Sequence, residues 1–354
     1  MRGWEKRRLA DIADFCLGKM LDQRKNRGEL LPYLANINVR WGDFDLSDLR
    51  TMRFGPHEMD RYGLRYGDIV MCEGGEPGRC AIWKENQPGM MFQKALHRIR
   101  PHHSLDNSYL YYSFLLMGRT GQLAQYFTGA TIKHMPREKL AKVEITQPPL
   151  EIQQRIAEVL SAYDDLIANN RRRIQLLEEA ARLLYREWFV RLRFPGHEHA
   201  KIRDGIPEGW KKVPLGQLCE EIKEMCLPTA MEPDTPYIGL EHMPRRSIAL
   251  SEWGTAEQVT SSKHRFREGD ILFGKIRPYF HKVGIALTEG VASSDTIVIR
   301  PVCQDLLPLV LMVASSDAFV ADTAQKMKEG SKMPRADWKQ MTQYPVLYPS
   351  DNTL

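Results

Sequence analysis

The chain repeats itself. Five short patterns from its first half return, in the same order, in its second half. Gly3-Trp4 returns as Gly209-Trp210, Pro32-Tyr33-Leu34 as Pro236-Tyr237-Ile238, and Gly67-Asp68-Ile69 as Gly269-Asp270-Ile271. Ile99-Arg100-Pro101 returns as Ile299-Arg300-Pro301, and Met135-Pro136-Arg137 as Met333-Pro334-Arg335. Measured at Trp4, Tyr33, Asp68, Arg100 and Pro136, the offsets are 206, 204, 202, 200 and 198. Any one echo is weak, since Gly-Asp turns and Arg-Pro pairs are common. Five in order with a slowly drifting offset indicate two copies of one folding unit, at residues 1–149 and 207–350.

A chain of 354 residues is too long for one ordinary core, which agrees with duplication. Within each copy, apolar runs at 68–71, 270–273 and 296–299 leave Gly-containing turns and predict buried strands. Runs at 109–117 and 306–314 follow Arg-Pro breaks and predict buried helices. The expected class is α+β: two repeated domains, each a mixed β-sheet with flanking helices.

Between the copies the pattern changes. After Pro148-Pro149, residues 151–188 contain neither Gly nor Pro. Apolar side chains recur at Ile152, Ile156, Val159, Tyr163 and Leu166, then at Ile174, Leu177, Ala181, Leu184 and Trp188. Alternating spacings of three and four are the mark of a coiled-coil seam. The seam is interrupted at Asn170, four residues from Leu166 and from Ile174, a stutter that locally unwinds a supercoil. Arg171, Arg172 and Arg173 follow it, as salt-bridge partners or subunit contacts. A long helix is therefore expected over 150–190, roughly 57 Å for 38 residues, with a Pro/Gly/His linker at 191–206.

Composition excludes several classes. Hydrophobic residues at 43% and charged residues at 27% are ordinary for a globular protein. The longest apolar run, 306–314, is about half the roughly 20 residues a membrane helix needs, and the N-terminus has no apolar signal core. Six cysteines without a CxxC pair predict buried thiols in a reducing cytoplasm rather than a zinc site. The net charge of +5 is unevenly spread: +6 over 1–150, +2 over 151–203 and −3 over 204–354. A nucleic-acid partner suits the first segment, and in the last it requires a local basic patch.

Catalytic signatures are weak or absent. Gly74-Gly75-Glu76-Pro77-Gly78-Arg79 is a Gly-rich turn rather than a phosphate loop. His197-Glu198-His199 lacks the spacing that puts two histidines on one helix face. Pro233-Asp234 with Glu241-His242-Met243 has methionine where a metal-dependent nuclease carries lysine, and Gln147-Pro148-Pro149-Leu150 lacks the leading Asn or Asp of an adenine methyltransferase loop. No metal or catalytic residue is assigned.

The whole chain resembles the specificity subunit of type I restriction–modification systems. The likeness is strongest in the run from Val143 through Gln147-Pro148-Pro149-Leu150 to Ile156-Ala157, in Asp164-Asp165-Leu166-Ile167, and in Leu183-Leu184-Tyr185-Arg186-Glu187-Trp188-Phe189. Ile206-Pro207-Glu208-Gly209-Trp210 is similar to the opening of the family's second domain. The resemblance implies a non-catalytic cytoplasmic reader of double-stranded DNA, with one target-recognition domain for each half of a split, asymmetric sequence. It implies docking of DNA methyltransferase subunits and, through them, restriction/motor subunits. S-adenosylmethionine, ATP and magnesium belong to those partners, and no cofactor to this chain. It also implies a second long helix starting near Ser350, of which 351–354 would be the truncated beginning. The seam on the first helix is then left for a second copy, as an antiparallel homodimer with Asn170 near the crossing, or for a methyltransferase subunit.

Base edges are read by Arg, Lys, Asn or Gln, whereas phosphates accept any donor. Arg24, Lys25 and Arg27 form a candidate phosphate-contact loop or a solvated basic turn. Asn36, Asn38 and Arg40 are expected on one face of a strand, and Thr131, Lys133 and His134 in a loop after Gly129. In the second copy Lys275, Arg277, Tyr279, His281 and Lys282 make a basic, aromatic-interleaved loop, and Ser331 and Lys332 match the 131–134 region. The reading from another class is a coiled-coil scaffold whose repeated domains bind protein.

Overall fold

The structure is a computed structural model and describes residues 4–20, 22, 26–327 and 334–349. The chain divides into two compact units, Met1–Ala168 and Asn169–Leu354, and the boundary falls inside the long helix Leu150–Tyr185.

In the first unit, Glu5–Arg8 pairs antiparallel with Glu144–Gln147, Arg7 opposite Ile145, which joins the start of the domain to its end. An antiparallel sheet runs in the order Ala13–Leu17, Leu96–Pro101, Ile69–Cys72, Cys80–Ile82. A smaller sheet orders Arg50–Phe54, Glu29–Leu34 and Met91–Phe92, the last pair parallel. Every residue of Ile69–Cys72 is buried. Successive side chains point to opposite faces of a strand. Ile69 and Met71 therefore enter one core with Leu110 and Phe114 of helix Asn107–Arg119, while Val70 and Cys72 enter another with Leu34, Trp83 and Phe92. That two-sided burial is why the strand reads as a continuous apolar run. The Asp106 carboxylate caps the helix by accepting from the Tyr109 N–H.

The second unit repeats the plan. Trp210–Pro214 pairs antiparallel with Pro345–Pro349, Val213 opposite Val346. One five-stranded sheet orders Cys219–Ile222, Thr296–Pro301, Ile271–Gly274, Val283–Ala286 and Ala249–Leu250, and another carries Met225–Cys226, Lys263–Phe266, Gly290–Ala292, Pro236–Ile238 and Gly254–Thr255. Ile271 and Phe273 pack with Val310 and Phe319 of helices Leu307–Ala314 and Asp317–Gln325, and Leu272 with Ile238 and Phe266. The α+β expectation of two sheet-and-helix domains with a long helix between them holds.

One echo is out of register. Leu9 N–H donates to Val143 C=O and Leu215 N–H to Tyr344 C=O, each at 2.8 Å. Buried Met135 donates to Glu73 C=O and buried Ala336 to Lys275 C=O, again at 2.8 Å. The structural offset here is 201, so Met135-Pro136-Arg137 corresponds to Ala336-Asp337-Trp338. The match with Met333-Pro334-Arg335 is a coincidence of letters, and Met333 lies outside the described residues. Backbone bonding and a buried apolar position decide the equivalence.

The helix Leu150–Tyr185 closes with one π turn, Arg186–Val190. Buried Gln153 ties its start to the first domain, accepting from Asp106 N–H at 2.9 Å and donating to Pro148 C=O at 2.7 Å. Buried Glu178 ties its later part to the second, accepting from Ser247 Oγ and the N–H groups of Ile248 and Ala249 at 2.8–3.0 Å. Ile156 packs on the first core and Ala181 on the second, and Ile152 and Trp188 are half-buried. Val159, Tyr163, Leu166, Asn170, Ile174, Leu177 and Leu184 are exposed. Arg171, Arg172 and Arg173 are exposed too and make no ion pair among the described residues, against the salt-bridge reading. Of the cysteines, Cys303 is exposed and Cys16 half-buried, so only four are the buried thiols expected of all six. No single helix among the described residues is long and apolar enough to cross a membrane.

Candidate nucleic-acid interface

The buried central strand of each domain ends in a hairpin whose loop stands at the surface. In the second domain Ile271–Gly274 and Val283–Ala286 enclose Lys275 to Lys282. In the first, Ile69–Cys72 and Cys80–Ile82 enclose Glu73 to Arg79. A second loop lies against each hairpin. His134 bridges both Gly74 and Thr128, and Arg335 bridges Ile276. The bridge from the hairpin loop to the later segment thus recurs at equivalent positions, Gly74–His134 and Ile276–Arg335.

The second-domain composite is basic. Arg277 sits at φ 50° and His281 at φ 56°, both left-handed, flanking a 3-10 turn at Pro278–Phe280. Side chains with a Cβ adopt this region at a cost, and such outliers gather at functional loops. The turn exposes the Tyr279 ring and presents Phe280 to two guanidiniums, Arg245 at 4.3 Å and Arg277 at 5.8 Å from the ring centroid. Beside it a groove of about 610 Å³ is lined by Lys223, His264, Lys275, Lys326, Arg335 and Lys339, with Glu221 and Asp337 as counter-charges. Burial, together with the nearby Lys275 and Lys223 ammoniums, pushes the His264 imidazole below its ordinary value against the opposing pull of Glu221. Arg335 is held by Asp295 at 3.1 Å. The groove joins residues from segments far apart in sequence, which is how a domain of net −3 carries a cationic face.

Two residues expected in the second-domain loop face inward. His281 is buried, its Nε2 2.7 Å from Ser315 C=O. The Lys282 ammonium donates to Leu240 C=O, and in the first domain Arg79 Nη2 donates to Asn36 C=O in the same way. Both cations tether a 3-10 turn to the hairpin, so Lys282 is structural.

The expected strand at Asn36, Asn38 and Arg40 is instead that 3-10 turn, Asn36–Asn38. Asn38 is buried: its Oδ1 accepts from Ala35 N–H at 2.9 Å and its amide donates to Asp45 and Asp48 C=O at 3.0 and 3.2 Å. His242 does the same capping from Nδ1 to Gly239 N–H at 3.0 Å. Asn38 therefore shapes the loop instead of contacting a ligand, because both its amide donors and its Oδ1 are engaged inside. Asn36 is half-buried, and Arg40 is exposed but donates to Ile37 C=O at 2.6 Å and pairs with Asp45 at 3.3 Å. Thr131, Lys133 and His134 are all exposed on the loop against the hairpin, and Arg27 is exposed. Arg24, Lys25, Ser331 and Lys332 lie outside the described residues. Residues missing from the sequence-based candidates are Glu73, Glu76 of the dismissed Gly-rich turn, Lys223, Arg245, Arg335 and Lys339. The offset of 202 at Asp68, extended five residues, would have mapped Glu73 onto Lys275.

Paired sheet domains, each with a hairpin loop bridged at an equivalent position, define a duplicated two-domain protein. The sequence profile of the Type I restriction modification DNA specificity domain matches residues 1–179, and the chain belongs to that family. It is 31% identical over 156 residues to the type I restriction enzyme MjaIX specificity subunit of Methanocaldococcus jannaschii, covering 43% of this chain and 35% of that one. It is 22% identical over 270 residues to the EcoDI specificity subunit of Escherichia coli, covering 69% and 60%. The chain thus spans less than two thirds of the length of these relatives. The crystal structure of the type I restriction-modification system S subunit from M. genitalium has the same fold, at a TM-score of 0.60 with 16% identity, over 98% of this chain and 85% of that one.

Proposed function

We propose that this chain is the DNA sequence-recognition subunit of a type I restriction–modification assembly. Each domain takes one half of a split, asymmetric duplex target through its hairpin loop composite. The observation that carries this reading is the recurrence of the composite at equivalent positions in both domains of a chain of this family. Half-buried Arg277 and exposed Tyr279, with the neighbouring cationic groove, supply phosphate and base contacts. The chain performs no chemistry itself: methyltransferase subunits bring S-adenosylmethionine, and restriction/motor subunits bring ATP and magnesium, all in the cytoplasm. The exposed stripe of helix Leu150–Tyr185 packs against a second copy of itself.

Selection of bound duplexes from a randomised library tests the reading. Enrichment of two short sequence blocks at fixed separation is the expected result. Uniform recovery of all sequences would overturn it and leave the repeated domains as protein-binding modules on a coiled-coil scaffold.

A further inference from the structure

Positions 73 and 275 are one place in the repeat. Glu73 N–H donates to Ala95 C=O at 2.9 Å and Lys275 N–H to Asp295 C=O at 2.7 Å, while their own carbonyls accept from Met135 and Ala336 at 2.8 Å. Each residue directly follows the buried central strand, at the mouth of the hairpin loop. Their charges are opposite.

Neither side chain is used within the fold: the Glu73 carboxylate and the Lys275 ammonium make no hydrogen bond or ion pair among the described residues. Glu73 is half-buried, and burial pushes its carboxyl up from the ordinary range despite Lys94 and His134 nearby. A partly desolvated carboxylate without a donor is an unfavourable arrangement for the protein alone. A ligand that offers an N–H at that point relieves it.

We propose that Glu73 and Lys275 are specificity-determining residues that read complementary chemistries on the major-groove edge. Glu73 accepts from the exocyclic amino group of a cytosine in one half of the target. Lys275 donates to the O6 and N7 acceptors of a guanine in the other. The assignment rests on the DNA-recognition reading above and extends it to base type: a carboxylate suits N4–H₂ of cytosine, and an ammonium suits the two acceptors of guanine.

The test is the randomised-duplex selection run on the full chain with wild type, Glu73→Lys, Glu73→Gln and Lys275→Glu. With Glu73→Lys, one position of one block should change from cytosine to guanine, a shift of roughly 5- to 150-fold in preference, the range of one good base contact. The other block and the separation should not move. Lys275→Glu should produce the mirror change in the other block. Glu73→Gln keeps size and shape where the charge reversal disturbs folding, and should favour adenine, whose N6 and N7 an amide matches. Enriched blocks that are identical in wild type and all three variants overturn this assignment while leaving DNA recognition standing. A wild-type chain that enriches no sequence overturns both.

Discussion

Asp68 and Arg100 meet through two parallel hydrogen bonds, Arg100 Nε to Asp68 Oδ1 at 2.7 Å and Nη2 to Oδ2 at 2.8 Å. Asp270 and Arg300 repeat the pairing, both bonds at 2.7 Å. Each carboxylate also accepts from the backbone three residues earlier, at Arg65 and Arg267. The hydrogen bonds to the buried carboxylates hold both guanidiniums above their ordinary value. Two sequence landmarks, Gly-Asp-Ile and Ile-Arg-Pro, are therefore the halves of one bond that fastens the turn before the central strand to its neighbour.

Replacing Asp68 with Ala removes the acceptor of three donors and leaves the half-buried Arg100 unpaired. Breaking a buried pair is costly, and with guanidiniums partly in water the expected loss is about 2–4 kcal/mol. Amide hydrogen exchange locates it: Asp68→Ala should lose protection at Ile69–Cys72, and Asp270→Ala at Ile271–Gly274.

The basic loop separates contact residues from tethers. Arg277→Ala should weaken duplex binding and lower the salt slope of log K, roughly 0.9 for each lost phosphate contact. Lys282→Ala should leave that slope unchanged and lower thermal stability, because its ammonium is spent on Leu240 C=O. A lowered slope for Lys282→Ala would return this residue to the DNA face.

On the long helix, Leu166 and Ile174 flank Asn170 on a stripe that stays exposed within the chain. Burying a Leu- or Ile-sized side chain contributes roughly 1.5–3 kcal/mol. Light scattering at micromolar concentration should find wild type dimeric, and Leu166→Asp with Ile174→Asp monomeric with unchanged circular dichroism. A monomeric wild type sinks the dimer.

His97 introduces a pH dependence. It is fully buried, its Nε2 donates to Met135 C=O at 2.8 Å, and its Nδ1 has no partner. Burial pushes the imidazole below its ordinary value. As pH falls below about 6.5, the unfolded chain takes up a proton that the folded chain resists, so folded stability is present above that value and lost below it. The melting temperature of wild type should drop between about pH 7.5 and pH 5.5 more than that of His97→Gln. Equal drops would place the effect elsewhere.

Local pattern made much of this protein legible. The duplication, the two-sided burial of Ile69–Cys72 and Ile271–Gly274, and the helix between the copies follow from residue order alone. Strand and helix periods, turn glycines and Pro-Pro breaks act over a few residues, and repeated order needs no third dimension to be seen. The uses of individual polar side chains were decided elsewhere. Lys275 and Lys282 look alike in sequence, yet one is spent on a carbonyl 42 residues away and the other on none. Asn38 and His281 looked like contact residues until Asp45, Asp48 and Ser315 took their hydrogen bonds. The offset of 202 at Asp68 sets Glu73 opposite Lys275, but only the fold shows that neither side chain is given a partner among the described residues. A polar group's role depends on whether the fold brings it a partner and removes water, and both depend on residues distant along the chain.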